Sequence, residues 1–166
     1  NDPFAFDGLA QLTEKVRVEG YYGGLRLLFA TCKKFYEFCD ERGIKLPKRN
    51  FTLSYDTTIP RQVGLGGSSA IITATVRALM RFYGVRPDVD IPLPELPSLV
   101  LSVETEELGI TAGLQDRVVQ SYGGTVFMDF SEAVMLAQGH GTYTRLGSAA
   151  LPPLFLAYTA IGSESG

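Results

Sequence analysis

Pro60–Ala70 reads P-R-Q-V-G-L-G-G-S-S-A, and this glycine-rich turn decides the fold because a helical pattern starts directly after it. Glycines let backbone N–H groups face an anion without interference from a Cβ atom. The N-terminus of the following helix would add partial positive charge and unpaired donors. Ser68 and Ser69 supply hydroxyl groups for a phosphate or a metal ion. The lysine of a Walker loop is missing, so the turn predicts either a different phosphate-binding loop or a plain serine-capped turn.

Helical and extended patterns lie on both sides of this turn. Apolar residues recur at helical spacing from Tyr22 to Arg42, whereas residues 1–20 are only weakly patterned. Further helices are predicted at Ser68–Tyr83, Ser98–Leu108 and Asp116–Tyr122, strands at Phe51–Thr57, Thr125–Phe130 and Leu154–Thr159, and a hairpin between Val134–Gln138 and Thr142–Leu146. Helices mixed with short, partly antiparallel strands predict an α+β fold rather than a doubly wound sheet.

The composition excludes several classes of function. The chain has 166 residues and a net charge of −3, which argues against an electrostatic nucleic-acid binder. No apolar run approaches the roughly 18 residues of a membrane span. A single histidine excludes a site that needs a histidine pair. Cys32 and Cys39 would lie about 10.5 Å apart along one helix axis, too far for a disulfide, which favours small buried side chains in a reduced cytosolic protein.

Glu104–Arg117 is the second stretch that carries chemistry, and it reads E-T-E-E-L-G-I-T-A-G-L-Q-D-R. Acidic residues at the end of a helix are followed by a tight turn and by an aspartate beside an arginine. One carboxylate can hold Mg²⁺, and another can take a proton from a substrate hydroxyl. A solvated helix face is the alternative interpretation of Glu104, Glu106 and Glu107.

Together the two stretches resemble the GHMP kinase superfamily, which includes galactokinase, homoserine kinase, mevalonate kinase and phosphomevalonate kinase. Pro60–Ala70 is similar to a family motif of the form P-x-x-x-G-L-[GS]-[SG]-S-[SA]. A second family spacing, an acid followed by Gly and then G-x-x-D, is matched by Glu104, Gly109, Gly113 and Asp116. The resemblance therefore rests on two motifs in the expected order.

The resemblance extends over residues 50–130. Within the superfamily, the amino-acid sequences of residues 59–65 and 15–24 are similar to those of plant glucuronokinases. It implies a two-layer α+β N-terminal domain with a ribosomal-protein-like βαβ topology. Residues 1–150 would form this ATP-binding domain without its first strands, and residues 151–166 would begin the C-terminal domain or a linker strand. The family's first and third motifs have no match, so we expect a piece of a longer kinase that is inactive alone.

The resemblance also assigns roles to individual residues. The phosphate-binding loop would consist of Gly64, Leu65, Gly66, Gly67, Ser68, Ser69 and Ala70. Ser69 and Glu104 match the groups that contact Mg²⁺, and Asp116 matches the catalytic acid of galactokinase and mevalonate kinase. Galactokinases commonly carry Gln where this chain has Arg117. Arg117 and Arg61 are therefore candidates for binding a sugar carboxylate, although Arg117 could equally pair with Asp116 or with an acid of the helix face.

The implied activity is an ATP- and Mg²⁺-dependent sugar kinase. Its expected reaction is phosphorylation of D-glucuronate at the anomeric 1-hydroxyl, giving glucuronate 1-phosphate for UDP-sugar synthesis. Two alternatives stay open: another GHMP sugar kinase of the L-fucose or arabinose type, and a non-catalytic GHMP-like module that only binds a ligand. The presence of both Glu104 and Asp116 argues against the binding module, because a pure binder has no need for both carboxylates.

Overall fold

A computed structural model of the chain describes residues 5–21, 25–60, 63–147 and 151–158. The elements in chain order are α1 (Leu9–Glu19), α2 (Arg26–Glu41), α3 (Gly67–Tyr83), α4 (Leu96–Ser102), a π-helical turn (Val103–Glu107), α5 (Leu114–Tyr122), β1 (Thr125–Asp129), α6 (Glu132–Gln138) and β2 (Thr142–Leu146). Helices combined with a small antiparallel sheet confirm the predicted α+β class. Among the described residues, no helix is both long and apolar enough to cross a membrane.

The core forms where α2 packs against both α3 and α1. Along α2 the buried side chains Leu28, Cys32 and Cys39 recur at helical spacing, which is the amphipathic pattern that the sequence predicted. Both thiols are free, and burial raises the pKa of each to about 12. The prediction of two small, unpaired, buried cysteines is therefore confirmed.

The helix after the glycine-rich turn begins at Gly67, and its N-cap is Gly66 rather than a serine. The predicted serine cap is wrong: a glycine has no side chain that could satisfy the first amides, and Ser69 turns its hydroxyl back to the Gly66 carbonyl. The helix ends at Tyr83, and the following Gly84 adopts the left-handed conformation (φ 73°) expected of a C-terminal glycine.

The predicted helix Ser98–Leu108 differs from the observed one in both its start and its geometry. It begins at Leu96 instead of Ser98, and from Val103 onwards it widens into the π-helical turn. The Ile110 amide donates a hydrogen bond to the Glu104 carbonyl at 2.7 Å, and this bond closes the widened turn. This change of pitch leaves the Glu104 side chain buried inside the protein (2% exposed). Such π-helical turns are frequent at functional sites.

The predicted hairpin between Val134–Gln138 and Thr142–Leu146 is wrong. Val134–Gln138 lies in α6, and β2 pairs instead with β1 in antiparallel register, with Thr125 opposite Leu146. The residues Glu132–Gln138 are mostly good helix formers, and the left-handed Gly139 ends them as a helix. A short apolar run of this kind cannot be assigned to helix or strand from periodicity alone.

Two predicted strands are wrong for a shared reason. Phe51–Thr57 is irregular, although Phe51 and Leu53 pack against the core. Residues 154–158 are irregular and exposed, with Phe155 97% accessible, while Thr159 lies outside the described residues. A strand needs a neighbour for its backbone hydrogen bonds, and in the described part of the chain only β1 and β2 pair as strands. Conversely, the weakly patterned residues 1–20 contain α1.

Candidate functional site

The glycine loop, defined as Gly64–Ala70, includes the first residues of α3. Gly64 (φ 75°) and Gly66 (φ 65°) both adopt the left-handed conformation that glycine tolerates best. Because the N-cap is a glycine, no side chain caps the first turn of α3. The first amides of a helix lack intrahelical partners and carry partial positive charge. The loop therefore has the backbone of an anion site.

Helix α5 brings Asp116 against this loop. Asp116 lies in the first turn of α5, where its side chain is 53% exposed. A Cβ atom added to Gly66 would lie 3.3 Å from Asp116 Oδ2, 3.1 Å from Gln120 Nε2 and 3.4 Å from Ser69 Oγ. Three polar side chains thus converge on one glycine, and an accessible carboxylate lies beside the proposed phosphate-binding backbone.

Gln120 is the member of this group that the sequence analysis missed. Its Nε2 donates to the Gly66 carbonyl and to Ser69 Oγ, both at 2.9 Å. The available signal was its position four residues after Asp116, which puts both side chains on one face of α5. A glutamine outside the matched motifs gives no other indication of a role.

Of the two serines, only Ser68 is accessible. Ser69 is fully buried, donates its hydroxyl proton to the Gly66 carbonyl at 2.9 Å and accepts the hydrogen bond from Gln120. Ser68 stays partly exposed in the first turn of α3. A hydroxyl in direct contact with a bound phosphate is therefore better supplied by Ser68 than by Ser69.

Glu104 and Arg117 form a buried ion pair behind Asp116. Arg117 Nη2 donates to Glu104 Oε2, and the two side chains are 7% and 3% exposed. Arg117 Nη1 donates to the Gly113 carbonyl at 2.9 Å and lies 3.7 Å from Asp116 Oδ2. The geometry thus corresponds to the alternative in which Arg117 pairs with nearby acids. Arg61, the second candidate for anion contact, lies outside the described residues.

The acids that follow Glu104 differ from one another in their surroundings. Glu106 is 66% exposed and pairs with Lys34, as a surface acid would. Glu107 is instead 14% exposed, accepts a hydrogen bond from the Tyr21 hydroxyl at 2.8 Å and pairs with the largely buried Lys33. Burial and this hydrogen bond raise the pKa of Tyr21. A solvated helix face is therefore the wrong description of Glu104 and Glu107.

The residues assigned to Mg²⁺ do not form a metal site in this arrangement. Ser69 is buried with its hydroxyl already bonded, and Glu104 is engaged by Arg117. In the part of the chain that the structure describes, no group of three or more His, Cys, Asp or Glu side chains could hold a metal ion. Two of the oxygen donors that Mg²⁺ prefers, Ser69 Oγ and Glu104 Oε2, are thus already engaged within the protein.

Two clefts lie elsewhere on the molecule. A polar cleft of about 400 Å³ between α2 and α4 includes the single histidine, His140. A more apolar cleft of about 340 Å³ lies between α1 and the segment Asn50–Leu53. Neither cleft is lined by the glycine loop, Asp116 or Glu104, so the candidate site lies outside both, where the N-terminal ends of α3 and α5 meet.

We expect Gly66→Ala to damage this site more than Gly64→Ala. Both substitutions place alanine at a positive φ, which costs about 1–3 kcal/mol. Only at position 66 would the new Cβ also crowd Gln120, Asp116 and Ser69, because nothing lies within 4 Å of a Cβ at position 64. Thermal unfolding should therefore show a lower midpoint for Gly66→Ala than for Gly64→Ala. Equal midpoints would contradict the close approach of α5 to the loop.

Comparisons with known proteins identify a family for the chain. Residues 27–124 match the GHMP kinases N terminal domain. The chain is 51% identical over its whole length to glucuronokinase 1 of Arabidopsis thaliana and 52% identical to probable glucuronokinase 2 of the same plant. It spans 45% of the length of each.

Over 49% of its length, the chain is also 32% identical to D-glycero-alpha-D-manno-heptose 7-phosphate kinase of Campylobacter jejuni. This match covers 23% of that protein. No solved structure matches the chain significantly. The relatives are kinases, and the match to the family's N-terminal domain covers more than half of the chain. The chain belongs to the GHMP kinase family.

Proposed function

We propose that this chain is the catalytic part of a sugar kinase that transfers the γ-phosphoryl group of ATP to the anomeric 1-hydroxyl of D-glucuronate, giving glucuronate 1-phosphate for UDP-sugar synthesis. The observation that carries the proposal is the accessible Asp116 carboxylate beside the uncapped N-terminus of α3. The similarity to plant glucuronokinases over the whole chain supports the choice of substrate.

The proposed mechanism uses the positions of the loop and the acid. The amides of the glycine loop and the α3 N-terminus bind the triphosphate and offset its charge. Asp116 accepts the proton of the sugar hydroxyl while its oxygen attacks the γ-phosphorus in line. A new O–P bond forms, the bond between the γ-phosphorus and the β,γ-bridging oxygen breaks, and ADP leaves with that electron pair. No covalent enzyme intermediate is needed.

The buried pair behind Asp116 has a supporting part in this proposal. Arg117 holds Glu104 and the Gly113 carbonyl, so it fixes the start of α5 from which Asp116 projects. Since Glu104 and Ser69 are both engaged, we assign Mg²⁺ to the ATP substrate rather than to a resident protein site. Arg61 is the candidate for binding the sugar carboxylate.

We further propose that residues 1–150 are the ATP-binding domain and that residues 151–166 begin the C-terminal domain or a linker to it. The exposed apolar residues Leu154, Phe155 and Leu156 support this division, because apolar side chains of this size are normally covered by other parts of a protein. The free, buried thiols support a reducing compartment, and we place the kinase in the cytoplasm.

The direct test is ADP release by the full-length protein, measured with a panel of sugars. We expect glucuronate to support turnover and neutral sugars to support much less. A preference for L-fucose or L-arabinose would contradict the substrate but leave a GHMP sugar kinase. No ADP release with any sugar, combined with ligand binding, would favour the non-catalytic module.

We expect the isolated 166-residue chain to show no measurable sugar kinase activity. Phosphoryl transfer depends on positioning, and a misplacement of about 1 Å can cost roughly 10²-fold in rate. The chain covers 45% of the length of its plant relatives, and the family's first and third motifs have no match in it. Weak ATP binding should survive, because the loop is a local feature. Sugar-dependent ADP release by the isolated chain would refute this prediction.

A further inference from the structure

Gln120 makes more polar contacts with the glycine loop than any side chain that the motifs identified. Its Nε2 group donates to the Gly66 carbonyl and to Ser69 Oγ, both at 2.9 Å. Its Oε1 atom accepts a hydrogen bond from Thr73 Oγ1 at 3.3 Å. The side-chain amide therefore joins α5 to the loop and to the second turn of α3 through both of its ends.

The Gly66 carbonyl is the point at which these contacts meet. It accepts hydrogen bonds from the Ala70 amide at 3.0 Å, from Ser69 Oγ at 2.9 Å and from Gln120 Nε2 at 2.9 Å. The first of these bonds belongs to α3 itself, and the second is local to the loop. Only the bond from Gln120 comes from another helix, so it fixes where the start of α3 lies relative to α5.

The same contact decides how Ser69 is oriented. A hydroxyl has one proton and two lone pairs. Ser69 gives its proton to the Gly66 carbonyl and receives the Gln120 donor on one lone pair. The fully buried Ser69 is thereby held as an internal brace of the loop, which accounts for a serine at a position that cannot reach solvent.

Asp116 and Gln120 are four residues apart on α5 and project from the same face. Both approach Gly66, since a Cβ added there would lie 3.3 Å from Asp116 Oδ2 and 3.1 Å from Gln120 Nε2. The hydrogen bonds from Gln120 to the loop therefore also set the distance from the Asp116 carboxylate to the first amides of α3.

We propose that Gln120 is a positioning residue that clamps α5 to the glycine loop and so fixes the separation between Asp116 and the bound phosphates. This inference rests on the proposed function, because the separation matters only if Asp116 acts on a phosphate acceptor. Gln120 itself does not touch the reacting atoms. Its loss should lower the rate of transfer while leaving the binding of ATP by the loop's own amides largely intact.

The test is a double-mutant cycle in the full-length protein, with Gln120→Met and Asp116→Asn made singly and together. Methionine keeps the length of the side chain but removes its donors. We expect Gln120→Met to reduce kcat about 10-fold or more, given the sensitivity of phosphoryl transfer to positioning, with the KM for ATP changed less than about threefold. In the Asp116→Asn background the further loss should be less than about threefold, because the two residues act as a unit.

Two further variants keep the outcome decisive. Gln120→Glu preserves the shape of the side chain but loses its N–H donors, so its kcat should be at least as low as that of Gln120→Met. This variant also provides the test if Gln120→Met fails to fold. Gln138→Met, on the exposed part of α6, is the matched control and should behave as wild type. Losses that multiply in the double mutant, or a kcat for Gln120→Met within twofold of wild type, would overturn the clamp. A normal kcat for Asp116→Asn alone would instead contradict the proposed mechanism.

Discussion

Asp116→Asn is expected to lower kcat of the full-length protein about 10²-fold or more, the scale on which a general base contributes to proton transfer. Asparagine has nearly the size of aspartate, so the packing of α5 against the loop should persist. The side-chain amide cannot accept the proton of the attacking hydroxyl at neutral pH. The affinity for ATP should change little, because the phosphates are assigned to the amides of the glycine loop and not to Asp116.

The measurement is steady-state ADP release at saturating sugar, together with ATP binding by titration. Glu106→Gln is the matched control, since it also removes one carboxylate from a largely exposed side chain. Unlike Asp116, Glu106 does not approach the loop. We expect the control to retain turnover within about twofold, as surface substitutions usually have small effects. Near-normal turnover of Asp116→Asn would remove this residue from the mechanism.

The loop and the acid could be located from the sequence because their signals are local. Gly64 and Gly66 stand where the chain needs positive φ, and Asp116 lies in the first turn of its helix. A helix start with glycines before it has the same geometry wherever it occurs. The juxtaposition of the two could be anticipated only through the resemblance to a family, since no local pattern places α5 against α3.

The remaining errors concern interactions between distant parts of the chain. Phe51–Thr57 has the alternation of a strand, yet no described strand lies beside it to complete the hydrogen bonds. A solvated surface acid is the alternative interpretation of Glu104, but the π-helical turn places its side chain inside. Gln120 gave only the weak signal of its spacing from Asp116, because its importance comes from a carbonyl 54 positions earlier in the chain. Tertiary contacts, which periodicity cannot predict, decided all three.

Arg117→Met is expected to destabilise the domain by about 3–5 kcal/mol, because it leaves the Glu104 carboxylate buried without its partner. Arg42→Met is the matched control. Arg42 also pairs with a glutamate, Glu95, but these side chains are 41% and 34% exposed, and exposed ion pairs contribute only about 0–1 kcal/mol. Chemical denaturation should therefore show a much larger loss for Arg117→Met. Similar losses for both variants would contradict a desolvated pair at the base of α5.

The double variant Glu104→Gln/Arg117→Met should recover much of that stability, because it removes both buried charges together. It therefore allows the role of Arg117 to be assayed in a folded protein.

If Arg117 fixes the start of α5, the double variant should lose turnover by a similar factor with glucuronate and with neutral sugars, since Asp116 is misplaced for every acceptor. If Arg117 instead binds the sugar carboxylate, the KM for glucuronate alone should rise about 10- to 150-fold, the equivalent of losing a charge-assisted hydrogen bond of about 1.5–3 kcal/mol. The burial of Arg117 and its bonds to Glu104 and the Gly113 carbonyl favour the first result. A selective rise in the KM for glucuronate would contradict the supporting role and make Arg117 the residue that selects an acidic sugar.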